Sequence, residues 1–146
     1  MVLTFSAILI GLLALVRPLQ KNPFFILHFA IVIGLAWHTE TYLFKVTPFM
    51  YKTFLLFIVY HLVSINLVTI IAYGVDKRAA IKGNWRIPEV RLHALELLGG
   101  WIGAFIAQKI FRHKTKKKSY QTMFWLMLAL QIAIIYYVLS FLNIIK

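Results

Sequence analysis

The chain has 146 residues, 62% of them hydrophobic, with a mean hydropathy of +0.82. So small a protein has too little interior to bury that much apolar surface, which excludes an ordinary water-soluble domain and calls for lipid around it. The net charge is +12, eleven of the sixteen Lys and Arg lie between Lys77 and Lys118, and there is no Cys, so disulfides, thiolate ligands and thiol nucleophiles are excluded.

This composition predicts an all-α integral membrane protein with about four transmembrane helices and one short, Gly-rich helix. Val2 to Val16 is an unbroken apolar run ended by Arg17-Pro18. It lacks the basic leader and small-residue cleavage site of a signal peptide, so we read it as a first, short span. A basic turn at Arg17, Lys21 and Pro23 leads to a second span from about Phe24 to Trp37, with Pro23 suited to a helix start. His28 inside that span is expected to be hydrogen-bonded, not a ligand. The link from His38 to Lys52 mixes aromatic and charged residues, as segments at a membrane–water interface do.

A third span is expected from about Phe54 to Val75. Asn66, Thr69, Tyr73 and Asp76 fall on one stripe of it. That stripe must face protein or a wet cavity, because unpaired polar groups are costly in lipid. Asn66 and Thr69 are expected to bond between helices. Lys77 to Pro88 reads as a basic loop, turning at Lys82-Gly83-Asn84, and Pro88-Glu89 opens the next helix.

On that helix Glu89, His93, Glu96, Gly100, Gly103 and Ala107 share a face whose small residues invite close approach. Glu96 there requires a partner, and a cation from the basic loops is expected. Leu92 to Phe111 is long enough to span. Spanning, however, would put the five cations of Lys77–Arg91 and the six of Lys109–Lys118 on opposite sides of the membrane. The positive-inside rule and the weak point at Gly99-Gly100 favour a re-entrant element returning to the same face. A last span, about Met123 to Ile144, carries Gln131 at mid-depth. Residues 1–61, 62–120 and 121–146 are read as parts of one folding unit.

Asp76-Lys77, then Trp85-Arg86-Ile87-Pro88-Glu89, then Gly99-Gly100 with Gly103, then His113-Lys114-Thr115 form an ordered signature over Leu62 to Tyr120. It resembles the bacterial membrane family catalogued as domain of unknown function 1294. The resemblance implies a small multi-pass protein of the bacterial inner membrane with no settled activity. Some relatives carry a cold-shock module for single-stranded nucleic acid where this chain has two hydrophobic spans.

No G-x-S-x-G, H-E-x-x-H or Walker-type loop is present. Glu89, His93 and Glu96 have the spacing of a metal-binding face, and His28 with His61 could bracket a haem. Both sets are sparse, and no metal or cofactor is expected. Asp76, Glu89 and His113 are the candidates for acid–base work, and Lys77, Arg86, Lys114 and Thr115 for anion binding. Asn66 and Glu96 are expected to be structural. The leading expectation is a non-enzymatic membrane protein whose basic cytoplasmic face binds anionic phospholipid or single-stranded nucleic acid. The alternatives are an enzyme acting on a phosphorylated lipid or nucleotide, and a transporter or membrane-complex subunit, including a homo-oligomer. What separates them is whether acids and cations meet at an open pocket or are consumed pairwise.

Overall fold

The structure, a computed structural model, describes residues 7–8, 11–12, 22–43 and 51–141. Of the expected first span only Ala7, Ile8, Gly11 and Leu12 are described, and they are helical. Arg17, Lys21, the middle of the His38–Lys52 link and the end of the last span lie outside the described residues. Helix α1 is Pro23–His38 and continues as a π-helical turn, Thr39–Leu43. Helix α2 is Tyr51–Lys82, α3 is Glu89–Leu95, a second π-helical turn is Glu96–Gly100, α4 is Trp101–Phe111 and α5 is Lys118–Phe141. Among the described residues four stretches are long and apolar enough to cross a membrane: Pro23–Thr41, Leu55–Lys82, Glu89–Phe111 and Lys118–Phe141.

Asn22 caps α1, its side-chain oxygen accepting from Phe24 N at 3.2 Å, while Pro23 takes a position where no N–H is needed. The Asn22 amide also donates to Arg91 O at 3.3 Å, which ties the start of α1 to α3. Further along, His28 meets Ser64 at 2.8 Å and His61 at 3.1 Å, and beyond the end of α1 Thr39 meets Tyr60, so α1 runs antiparallel to α2. Helix α2 extends seven residues past the expected Val75, through Lys82. Lys77-Arg78-Ala79-Ala80-Ile81-Lys82 are mostly good helix formers, and cations near a C-terminus suit the helix dipole. Lys77 is therefore helical, not part of a loop.

Glu89–Phe111 does not run straight. Gly99 has φ 104° and ψ 3°, a left-handed conformation that glycine alone adopts without strain, and the chain reverses there. Leu98 lies at His61, Gly103 at Asn66, Gln108 at Tyr73 and His113 at Asp76. Helix α3 thus descends along α2 and α4 climbs back up it. Helix α4 has 11 residues; that is about 16 Å, half of a hydrocarbon layer of about 30 Å. Both ends of the hairpin lie at the Asp76 end of α2. Gly103 makes the close approach possible, since a Cβ there would overlap the Asn66 backbone.

Breaking a helix frees backbone groups that lipid cannot satisfy. Side chains from the neighbouring helices take them. The Asn66 carboxamide donates to Gly99 O at 3.1 Å and accepts from Gly103 N at 2.6 Å, so one residue holds both arms. His61 Nε2 donates to Leu98 O at 2.8 Å, and Gln131 Nε2 donates to Glu96 O at 2.5 Å. Thr69 differs from expectation. Its hydroxyl donates to Ile65 O of its own helix at 2.7 Å, while Gly100 packs against it. Ile65, Val68, Ala72, Leu92, Leu95, Ala104, Ala107 and Phe124 fill the space between α2, the hairpin and α5.

Asn66→Leu should orphan Gly99 O and Gly103 N together and cost about 2–5 kcal/mol, measured by unfolding in detergent. Asn66→Asp keeps an acceptor for Gly103 N and should lose less. Gly103→Ala should also destabilise, because the atom it meets is fixed backbone.

Candidate functional site

The turn after α4 is built on strain. Arg112 has φ 47° and Lys114 has φ 64°, the two non-glycine residues with positive φ among the described residues. Each left-handed residue costs about 1 kcal/mol or more. Arg112 ends α4 as a left-handed cap, with His113 N donating to Gln108 O at 3.2 Å and Arg112 N to Lys109 O at 3.4 Å. The corner aims His113 and Lys114 at the carboxylates.

Asp76 is fully buried on the last turns of α2. One oxygen accepts from Ile87 N at 3.1 Å. The other lies 2.7 Å from His113 Nε2, 3.4 Å from Arg86 and 3.7 Å from Lys114 Nζ. Glu89, on the first turn of α3, receives Lys114 at 2.6 Å and Lys117 at 2.9 Å. Lys114 bridges the two acids with a side chain only 5% exposed, and its ammonium also lies 5.2 Å from the Tyr120 ring centroid. A lysine that deep is held by its partners and is not available as a free phosphate hook.

Asp76 and Glu89 are consumed, but not all of the cations are. Above the corner an open cleft of about 670 Å³ is lined by Arg86, Arg112, Lys114, Lys116 and Lys117, with Glu89, His113 and Thr115. Among the described residues no carboxylate lies within ion-pair distance of Arg112 or Lys116, and the Arg86 side chain is 48% exposed. Of the residues singled out in sequence, Glu89, His113, Arg86, Lys114 and Thr115 meet at this cleft, and Asp76 lies beneath His113. Lys77 does not line it. By sequence Lys116 to Lys118 read as a solvated, non-specific flank and Arg112 was not singled out, yet Arg112, Lys116 and Lys117 line the cleft, where the left-handed corner turns them toward Arg86.

Glu96 sits in the interior, 1% exposed, away from the cleft. The expected Lys or Arg partner is replaced by His93 Nδ1 at 2.6 Å and the hydroxyls of Tyr73 and Tyr120, the latter at 2.8 Å. Seven residues further along the helix, it lies about 10 Å deeper than Glu89, the acid with which Lys114 and Lys117 pair. Gln108 donates to the Tyr73 hydroxyl at 3.3 Å, and Gln121 donates to Gln108 at 2.6 Å. Glu89, His93 and Glu96 therefore split between two sets of partners. His28 and His61 bond to each other, rings edge-on at 4.9 Å. Among the described residues no group of three or more His, Asp or Glu is placed to hold a metal ion.

Comparison with known proteins adds a family. The model described as "Protein of unknown function (DUF1294)" matches residues 66–120. "Uncharacterized protein YsdA" of Bacillus subtilis (strain 168) is 41% identical over 61 residues, 42% of this chain and 68% of that protein. The chain belongs to this family. No solved structure matches. The DUF1294 segment opens at Asn66 and closes at Tyr120, so it holds the Asn66 bridge, both hairpin arms and the corner. His61 and Gln131, which satisfy two carbonyls of the break, lie outside it.

The two ion pairs of Glu89 should differ in strength. Lys114 is 5% exposed and Lys117 is 53% exposed. Double-mutant cycles on unfolding should give a Glu89–Lys114 coupling of about 1–3 kcal/mol and a Glu89–Lys117 coupling below about 0.5 kcal/mol. Equal couplings would contradict the buried bridge.

Proposed function

We propose that this is a multi-pass protein of the bacterial inner membrane whose basic end faces the cytoplasm and whose cleft seats the phosphate of an anionic lipid headgroup. The observation that carries the reading is the return of α4, which gathers cations from both sides of the hairpin around one cleft while only Glu89 among its lining residues is acidic. Positive residues beside spans are retained on the cytoplasmic side, and the hairpin then enters and leaves the membrane from that side. Unpaired guanidinium groups are suited to phosphate, which they bind with two parallel hydrogen bonds.

A lipid is favoured over nucleic acid by the exposed apolar residues next in sequence to those that line the cleft. Trp85 and Val90, neighbours of the lining residues Arg86 and Glu89, are 72% and 71% exposed. Apolar side chains so displayed beside cations suit the boundary between headgroups and acyl chains. Arg91 lies over the Trp85 ring, 5.7 Å from its centroid, and restrains the exposed indole.

The test is calorimetric titration of the detergent-purified chain with dihexanoyl phosphatidylglycerol, dihexanoyl phosphatidylcholine and a single-stranded oligonucleotide. Phosphatidylglycerol should bind saturably and phosphatidylcholine should not. Arg86→Gln with Arg112→Gln should weaken binding at least tenfold, whereas Lys118→Gln, outside the cleft, should change it less than twofold. Equal losses at all three positions would mean a diffuse basic surface without a site. Tighter, steeply salt-dependent oligonucleotide binding would favour nucleic acid instead.

A further inference from the structure

We infer that the cleft is also a hydrolytic site for the phosphate monoester of an amphiphile, with His113 as the general base and Asp76 as the residue that positions it. The inference rests on the phosphate-seating reading above and adds a reaction to it.

Three observations converge on His113. Its Nε2 is held 2.7 Å from Asp76, whose other oxygen is fixed by Ile87 N at 3.1 Å, so the ring has one orientation. Its Nδ1 has no hydrogen-bond partner among the described residues, on a side chain that lines the cleft. Its backbone stands between the two left-handed residues Arg112 and Lys114. Strain of that kind persists where a side chain must be held in one place. A purely structural ion pair would need neither a second ring nitrogen left without a partner beside the cleft nor the strained corner.

Glu89 is unsuited to the same task, because lysines occupy both of its oxygens. Arg112 and Lys116, which pair with no carboxylate among the described residues, and the half-exposed Arg86 match the roughly doubly charged monoester better than a singly charged diester. The unpaired Arg112 and Lys116, with Arg86, are placed to stabilise charge on the phosphoryl oxygens as it develops.

In the step, water attacks phosphorus and a new P–O bond forms as the bond to the amphiphile's oxygen breaks. One proton of the water passes to His113 Nδ1. The departing oxygen keeps the bonding electron pair and takes a proton from solvent, which the open cleft admits. His113 then returns its proton to solvent, leaving inorganic phosphate and an alcohol. No redox partner is involved.

The experiment uses the full chain in phosphatidylcholine vesicles containing phosphatidic acid, with release of inorganic phosphate as the readout and p-nitrophenyl phosphate as a soluble second probe. Wild type should release phosphate from both probes. His113→Gln, which leaves Arg86, Lys114 and Ile87 on Asp76, should lower kcat at least 100-fold. Its binding of dihexanoyl phosphatidic acid should stay within threefold. Asp76→Asn should lower kcat with KM unchanged. Phosphatidic acid binding without phosphate release from either probe overturns the hydrolytic inference and leaves headgroup binding intact. Undiminished turnover in a folded His113→Gln removes His113 from the role, and absence of binding overturns both readings.

Discussion

One carboxamide does what a continuous helix would otherwise do. Asn66 meets the carbonyl of Gly99 and the amide of Gly103, on either side of the reversal. In hydrocarbon such groups have no water to fall back on, and each one unpaired would cost as much as a typical ion pair at a surface contributes, or more. A broken helix at that depth is therefore conditional on its neighbours. Asn66, His61 and Gln131 supply what the break removes, and the glycines allow α4 to come close enough for Asn66 to reach. Were the helix straight, Phe111 would stand some 30 Å from Glu89 and the lysine-rich turn would never meet Asp76.

From that geometry the electrostatics follow. Two carboxylates, Asp76 and Glu89, share an end of the molecule with many more cations, so each is surrounded by several and none is spare. Lys114 joins the pairs into one unit and pins the corner. The cations left over, Arg112 and Lys116 with the exposed part of Arg86, define where negative charge from outside would be welcome. Deeper in, Glu96 is handled differently, by hydroxyls and an imidazole. The two clusters are linked physically by Gln121, which bonds both Gln108 beneath Tyr73 and the Lys114 carbonyl.

Much of this was legible in the order of residues. The helical class and the apolar lengths follow from composition, and the stripe from Asn66 to Asp76 follows from helical spacing. The re-entrant tendency could be argued from the sign of the charges at the two ends of Glu89–Phe111 before any contact was known. Other features were not legible, for identifiable reasons. Left-handed residues at Arg112 and Lys114 carry no signature, since neither is glycine or asparagine, and they alone decide which lysines face the cleft. The persistence of α2 through Lys82 was hidden because charge was read as loop, although those residues favour helix. The partner of Gln131 depends on the break, a tertiary event no local pattern reports. Thr69 satisfied its own helix, an option open to any threonine that spacing cannot distinguish.

Glu89–Phe111 folds back, and in the proposed membrane placement the segments on either side of it share one face. The chain has no cysteine, so single cysteines at Lys82 and Lys116 can be probed with a membrane-impermeant thiol reagent in intact and permeabilised cells. Both sites should be protected in intact cells and both should react after permeabilisation. Reaction of one site from outside while the other stays protected would establish a spanning helix and contradict the account.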